Sequence, residues 1–327
     1  MSGPLVLSSK RSSFWPVVVL CLGLALVPVV AVLTKQGHWI SLTTQMMILA
    51  LAALSLDLIL GIGGLLSFGH AAFIGLGAYT TGILIQEGKG DVLVALPMSL
   101  AVSGLFAFLT GIIALRTRGV VFIMITLAFG QMAYFAAQAL YAYGGDDGLT
   151  LDGRSTLFGL KLLSNKIVFY YLTFACLAGC LLLLQRLSRA RFGRVLLGAR
   201  DNAVRMESLG YDVFRVRLMA YVLSGMMAGL AGFLLANHTE FVSPAYAAWQ
   251  RSGDLIFMVI IGGVGSLWGA VGGALTYLLL EEGLSGLTEH WKVIFGPLII
   301  LFVLLTHGGI AGVVGRFRDL LDGGRHD

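Results

Sequence analysis

Charged side chains are scarce in this sequence. Only 22 Lys and Arg and 17 Asp and Glu occur among 327 residues, whereas hydrophobic residues make up 57%. The mean hydropathy is +0.89, which no soluble globular domain would show. Apolar runs of about 20 residues form spanning helices. The shortage of charge therefore excludes a soluble fold and predicts an all-α polytopic membrane protein.

Cysteines and recognisable catalytic motifs are also scarce. Cys21, Cys176 and Cys180 all lie in apolar runs without His or carboxylate partners, and we assign them to packing rather than to a metal. The sequence has no GxxxxGK[ST] phosphate loop, no HExxH and no GxSxG motif. These absences argue against an ATPase or a hydrolase. We predict that the chain is not an enzyme and binds no metal or cofactor itself.

What the sequence has in abundance is apolar runs long enough to cross a membrane, which takes about 20 residues. The runs are 14–33, 40–60, 62–85, 92–115, 120–143, 167–184, 218–236, 255–280 and 293–314. The glycine-rich stretch 262–269 interrupts one of them, which we interpret as a re-entrant hairpin or a pair of short helices. The sequence thus predicts about eight full transmembrane helices plus this broken pair, about ten membrane helices in all, in one integral membrane domain over residues 1–327.

Basic residues concentrate in a few loops, most of all at 186–217, where eight arginines stand against three acids. Further basic residues precede the first run, follow the last, and occupy the turn at Arg116 and Arg118. Cytoplasmic loops carry an excess of Lys and Arg, so we place these loops and both termini in the cytoplasm. The net charge of +5 follows from this topology and does not indicate nucleic acid.

The 186–217 loop has a helical pattern of its own. Its apolar residues recur at helical spacing: Val195, Ala199, Ala203, Met206 and Leu209. Gly210 ends the pattern. The spacing predicts a short amphipathic helix at the inner membrane face, offering an apolar stripe edged with charge. An alternative is a basic loop that only determines topology and binds anionic headgroups.

Ionisable residues also occur inside the apolar runs, where Asp57 and His70 flank a glycine-rich stretch. An aspartate at membrane depth costs about 2.5–3.5 kcal/mol on insertion scales, so such groups usually face a partner or a wet path. Asp57 could pair with His70, or reach water at the cytoplasmic end of its span. Gln131 could bond another helix instead of lining a path. The candidate path residues are Asp57, Ser67, His70, Tyr79, Thr126 and Gln131.

Several short motifs follow one another between residues 51 and 314. They are GIGGLLSFGHAAFIGLGAY at 61–79, RTRG at 116–119, TLAFGQ at 126–131, FGR at 192–194, RDN at 200–202 and IGGVGSLWG at 261–269. Together they resemble the permeases of branched-chain amino acid importers of the ATP-binding cassette (ABC) class, the LivM type. Asp57 stands where that family more often has Asn.

The resemblance implies a permease subunit in a bacterial inner membrane that moves branched-chain amino acids inward. It implies four kinds of partner: a second, related permease, two cytoplasmic ATPase subunits that hold ATP and Mg, an extracytoplasmic substrate-binding protein, and membrane lipids. It also implies that the cytoplasmic helix docks onto an ATPase subunit. The positions that match this coupling region are Arg194, Arg200, Asp201, Asn202, Glu207 and Gly210.

Two other functions stay open on the residues alone. An ABC permease for urea or short amides would share the same architecture. An ion- or proton-coupled carrier would use Asp57 and His70 as a proton relay and would need no ATPase subunits.

Overall fold

The structure, a computed structural model, describes residues 20–28, 37–286, 290–306 and 308–314, and these are mostly helical. The helices are α1 (20–28), α2 (Gly37–Asp57), α3 (His70–Gln86), α4 (Val92–Ala114), α5 (Val120–Gln138), α6 (Lys166–Arg189), α7 (Arg191–Asp201), α8 (Ala203–Ser208), α9 (Val213–Thr239), α10 (Trp249–Gly262), α11 (Leu267–Ser285), α12 (Trp291–Leu305) and α13 (309–314). A π-helical turn, Leu58–Ile62, continues α2.

Short polar side chains start five of these helices. Each accepts a hydrogen bond from a backbone N–H two or three residues further on, which satisfies one donor that the helix cannot pair internally. The capping residues are Asp91, Asn165, Asn202, Asp212 and Ser266. These caps explain why α4, α6, α8, α9 and α11 begin where they do in an otherwise apolar chain.

Helix α2 lies at the centre of the molecule. Together with its π-helical turn it is 89% buried over its most apolar part, whereas α4 and α5 are only 28% buried. Helices α6, α9, α10 and α11 pack against α2, and α4 packs against α3 and α9. A helix that is apolar all round is typical of a core position. The apolar outer faces of α4 and α5 therefore require lipid or another chain to cover them.

One end of the helical bundle carries α7 and α8, and we call it the basic end. Both helices pack against α9 near its start, and α7 also packs against the last turn of α6. Arg217 on α9 donates a hydrogen bond from Nη2 to the Ala199 carbonyl at 2.8 Å. This bond and the adjacent packing hold α7 against the bundle.

The opposite end holds the long connection between α5 and α6, and we call it the loop end. Here β1 (Leu149–Thr150) pairs antiparallel with β2 (Phe241–Val242). Tyr143 donates a hydrogen bond from its hydroxyl to Glu87 Oε1 at 3.1 Å, and this bond to a carboxylate raises the pKa of Tyr143. The pairing ties the α5–α6 connection to the segment that follows α9.

The structure describes five helices that are long and apolar enough to cross a membrane. They are Gly37–Ile62, Val92–Ala114, Val120–Gln138, Lys166–Arg189 and Val213–Thr239. A sixth span results if α10 and α11, which meet at an angle of 116°, are taken together. The predicted class, an all-α polytopic membrane protein, is confirmed. Fewer full-length spans occur in the described ranges than the eight predicted, since α3 and α12 have 17 and 15 residues.

The predicted break in the 255–280 run is present, and another break was missed. Helix α10 ends at Gly262 and α11 begins at Leu267, within the glycine-rich stretch. The 62–85 run, however, is not one helix, because the chain leaves the helix after Ile62 and re-enters it at His70. Hydropathy could not detect this break because the stretch stays apolar. Of the 14–33 run, only 20–28 falls within the described residues, and these are helical.

Candidate functional site

The two helix breaks meet at the basic end. The fully buried Asp57, at the end of α2, accepts a hydrogen bond on Oδ1 from the Gly265 N–H at 2.8 Å. Gly265 lies between α10 and α11, so a carboxyl group from one break binds the backbone of the other. We call Asp57, Gly61, Gly265 and Arg200 the junction.

The junction requires glycine at two positions, for want of space at Gly61 and because of the backbone conformation at Gly265. A Cβ on Gly61 would lie 2.5 Å from the Gly265 nitrogen, well inside van der Waals contact. Gly265 also has a φ of +84°, a conformation that residues with a Cβ rarely adopt. The close approach of the two backbones therefore depends on glycine at both positions.

Arg200 connects the junction to α7. Its Nη1 donates a hydrogen bond to the Gly61 carbonyl, and its methylene groups cover Gly64, where an added Cβ would lie 2.7 Å from Arg200 Cγ. Arginine side chains bury their aliphatic part while the guanidinium stays hydrogen-bonded. A displacement of α7 would therefore act directly on the backbone at the end of α2.

Buried hydroxyls join α2, α3 and α9 one turn away from the junction. His70 Nε2 lies 2.8 Å from Ser55 Oγ, and Ser224 Oγ on α9 donates to the Ser55 carbonyl. The predicted pairing of Asp57 with His70 is wrong, because each group binds a different partner. The alternative that Asp57 reaches water is also wrong, since its side chain is fully buried.

The non-helical segment between Ile62 and His70, which separates α2 from α3, passes close to α5. Phe68 N–H donates to Thr126 Oγ1 at 3.3 Å, and a Cβ on Gly69 would lie 2.2 Å from the Thr126 carbonyl oxygen. Thr126 thus contacts backbone rather than open space. Ser67, next to this crossing, is fully buried.

The predicted path residues do not form one cluster. Asp57, Ser67, His70 and Thr126 lie in or beside the break between α2 and α3, and all are buried. Tyr79 instead packs at the loop end, in a cluster that includes β1 and β2 residues. Gln131 is half-buried on α5, at the border of the exposed apolar face of that helix. Their role in a path stays a prediction.

The coupling residues all lie exposed at the basic end: Arg194, Arg200, Asp201, Asn202, Glu207 and Gly210. The single predicted helix is wrong, because Asn202 ends α7 and caps α8 by accepting from the Arg205 N–H at 2.9 Å. The predicted apolar stripe is also mostly covered. Val195, Ala199 and Ala203 are buried within this chain, since periodicity shows that a face is apolar but not what covers it.

Other apolar side chains are exposed next to these charges. Val204, Leu209 and Tyr211 are 65%, 66% and 47% exposed. They follow the kink at Asn202, so α8 and the turn after it present the apolar surface that α7 does not. Of the predicted stripe, Leu209 alone belongs to this exposed group, and sequence periodicity missed the other two.

A cavity of about 80 Å³ opens at the loop end between α2, α3, α9 and α10. Its polar lining includes Arg251 and Asp254, whose Nη1 and Oδ2 atoms lie 3.7 Å apart. Sequence reasoning missed both residues, which lie just before the 255–280 run. The available signal was a pair of opposite charges three residues apart at the edge of an apolar segment.

Metal ligands do not gather in the described ranges, where no group of three or more His, Cys, Asp and Glu could hold an ion. Cys176 and Cys180 are half-buried on α6 and pack against the core.

The family described as branched-chain amino acid transport system / permease component matches residues 39–304 of this chain. The permease protein LivM of a high-affinity branched-chain amino acid transport system in Salmonella typhimurium is 28% identical over 83% of this chain and 69% of its own length. LivH of Escherichia coli, from a system of the same description, is 24% identical over 80% and 91%. The autoinducer 2 import permease protein LsrC of Klebsiella pneumoniae is 31% identical over 41% of each chain. No solved structure matches.

Proposed function

Because the chain belongs to the branched-chain amino acid transport system permease family, we propose that it forms one half of the translocation path of an ABC importer. The chain is a multi-pass membrane permease subunit. Its proposed cargo is a branched-chain amino acid, and its proposed location is the bacterial inner membrane. ATP hydrolysis, with its Mg, belongs to separate ATPase subunits.

The proposed topology has about ten membrane helices in a single domain, with both termini and the basic end in the cytoplasm. The excess of arginine at 186–217 supports this orientation. Starting from α9, which leaves the basic end, the chain reaches the loop end at β2, returns through α10 to the junction, and leaves it again through α11. Helix α12 then leads back toward the basic end.

The observation that carries the coupling role is the bond between Arg200 and the Gly61 carbonyl. The coupling region, residues 186–217, offers exposed charges and the exposed side chains of Val204 and Leu209 to a partner. An apolar contact edged by charges gives burial together with register. We propose that an ATPase subunit docks here and that its closure moves α7, and through Arg200 the end of α2.

The second permease is proposed to cover the exposed face of α5. This face carries Val121, Met124, Met132 and Phe135, all more than half exposed, with Gln131 at its border. A polar amide in a membrane usually faces protein or a wet path rather than lipid. An interface at α5 would place Gln131 beside the path between the two permeases.

The test is reconstitution of the chain with the products of its neighbouring genes in proteoliposomes. ATP-dependent uptake of L-leucine that requires the binding protein and the ATPase subunits is the expected result. Uptake of urea or acetamide in place of leucine would instead favour an ABC permease for urea or short amides. Leucine uptake driven by a proton gradient without ATPase subunits would favour the ion-coupled carrier.

Docking is tested separately by co-purification of the ATPase subunits. The double variant Val204→Glu, Leu209→Glu adds charge to the exposed apolar surface without touching the junction, and we expect it to lose the ATPase subunits. Leu160→Glu is the matched control, because Leu160 is 60% exposed at the opposite end. Equal recovery of ATPase subunits with both variants would contradict the proposed docking surface.

A further inference from the structure

The cavity at the loop end combines an apolar wall with one charge of each sign. The wall consists of Leu49, Ile74, Leu235, Leu255 and Met258, all at least nine-tenths buried. Arg251 and Asp254 line the same cavity from the first turns of α10, and their side chains are 42% and 28% exposed. The apolar wall is therefore closed, while the charged groups lie toward solvent.

Asp254 is held in place from a neighbouring helix. Tyr277 on α11 donates a hydrogen bond from its hydroxyl to Asp254 Oδ1 at 2.9 Å, and the Tyr277 ring packs edge-on against Phe295. The contact to Arg251 is longer, at 3.7 Å, whereas a charge-assisted hydrogen bond is about 2.7–2.9 Å. The carboxylate is oriented, and the guanidinium, with five N–H donors, is only loosely engaged by it.

The cavity also has a suitable size and depth. A buried water needs about 10–15 Å³ of such volume, so the 80 Å³ of this cavity is room for several water-sized groups. Leu49 lies twelve residues after the start of α2 at Gly37, which is about 18 Å along a helix. The cavity thus reaches well into the membrane-spanning part of the chain.

We propose that this cavity binds the zwitterion of a branched aliphatic amino acid, with Arg251 holding its carboxylate, Asp254 its ammonium group, and the apolar wall its side chain. The inference rests on the proposed function and names where this permease holds its cargo. The site forms at the base of the first arm of a broken helix pair, and discontinuous helices commonly form transporter sites. Because the ligand brings one charge of each sign, Arg251 and Asp254 each meet an opposite charge when it enters, and the ligand's own charges are both paired.

The proposal predicts an order of affinity among small ligands. L-leucine should bind most strongly. The analogues 4-methylpentanoate, which lacks the ammonium group, and 3-methylbutylamine, which lacks the carboxylate, should each bind at least about tenfold more weakly, as expected for loss of a hydrogen bond to a charged group. Glycine, which lacks the side chain, should also bind more weakly, and urea should not compete.

The experiment is saturation-transfer NMR with millimolar L-leucine on the purified permease pair with its ATPase subunits and without the binding protein. Arg251→Gln and Asp254→Asn should each raise the leucine concentration that gives half of the maximal methyl signal at least about tenfold, and Leu49→Phe, which fills the cavity, should raise it as well. Lys89→Gln and Glu87→Gln are matched controls, since they break an ion pair of similar length, 3.8 Å, at the same end. Neither control should change this concentration.

Absence of a leucine signal with the native chain, or an unchanged half-maximal concentration in Arg251→Gln and Asp254→Asn, would overturn the proposal. If those variants fail to assemble, the analogue series on the native chain and Leu49→Phe decide it. Uptake by the complete importer separates the two claims. ATP-dependent leucine uptake without leucine binding at the cavity would leave the proposed function standing and contradict the binding site. Uptake of a different solute by the native importer would contradict the branched-chain amino acid as cargo in both claims.

Discussion

The tip of the α10–α11 hairpin, at Gly265, meets the end of α2 so closely that Gly61 has no space for a Cβ. The base of the hairpin, at Arg251 and Asp254, instead borders a cavity of about 80 Å³. The tip is fixed by backbone contacts and by Asp57, and the base carries Arg251 and Asp254, whose charged atoms lie 3.7 Å apart. Close-packed interfaces transmit displacement, because they cannot absorb it. We therefore infer that the tip receives motion from Arg200 and that the base responds with a change in the shape of the cavity.

The largest effect should come from adding a side chain at Gly61, which packs against the hairpin tip. Gly61→Val places side-chain atoms where Gly265 and Asp57 already lie, and we expect it to lower the free energy of unfolding by about 3 kcal/mol, the upper end of the usual cost of overpacking. Folded permease recovered after heating, measured by fluorescence-detected size exclusion, should fall sharply.

Gly272→Ala on α11 is the control, because no atom lies within 4 Å of the added Cβ. Replacing a helical glycine by alanine stabilises by about 0.5–1 kcal/mol, so this variant should be as stable as the native chain or slightly more. Equal loss of folded protein in both variants would show that the tip is not specially constrained.

A smaller effect is expected at Asp57. Asp57→Leu removes the acceptor of the Gly265 N–H, and the loss of one hydrogen bond costs about 0.5–1.5 kcal/mol. Asp57→Asn keeps an acceptor at Oδ1, and Oδ2 has no hydrogen-bond partner among the described residues, so folding and uptake should both survive. Thermal stability and leucine uptake, measured side by side, check this. Loss of uptake with normal stability in Asp57→Asn would mean that transport requires the negative charge of the Asp57 carboxylate.

The smallest effect is expected at Gln131, on the border of the exposed α5 face. Hydrogen bonds between membrane helices average about 0.6 kcal/mol, so Gln131→Leu should weaken recovery of the second permease about threefold if the amide faces that chain. Phe135→Leu, on the same face, is the control. Higher stability of Gln131→Leu with unchanged recovery would place the amide toward lipid instead.

Local patterns in the sequence predicted the membrane class, the arginine-rich loop and the break near Gly262, because hydropathy, charge and glycine act over short distances. They could not predict contacts between distant residues. Gly265 binds a side chain 208 positions earlier, and Arg200 binds a carbonyl 139 positions earlier. Such contacts depend on how the helices pack.

The same limit explains the errors at α7 and at the cavity. The apolar spacing of Val195 and Ala199 indicated a buried face correctly, but the covering surface is this chain's own core. Sequence reasoning missed Arg251 and Asp254, because only the packing of α2, α3 and α9 around α10 creates the space beside them.

The central claim, that Arg200 passes the motion of the ATPase subunits to the hairpin tip, is tested most directly by the ratio of leucine taken up to ATP hydrolysed in proteoliposomes. Arg200→Gln removes the charged hydrogen bond to the Gly61 carbonyl, and we expect the ratio to fall about fivefold or more while ATP hydrolysis and complex assembly persist. Arg191→Gln, also exposed on α7, should leave the ratio unchanged. A ratio equal to that of the native chain in Arg200→Gln would contradict the claim.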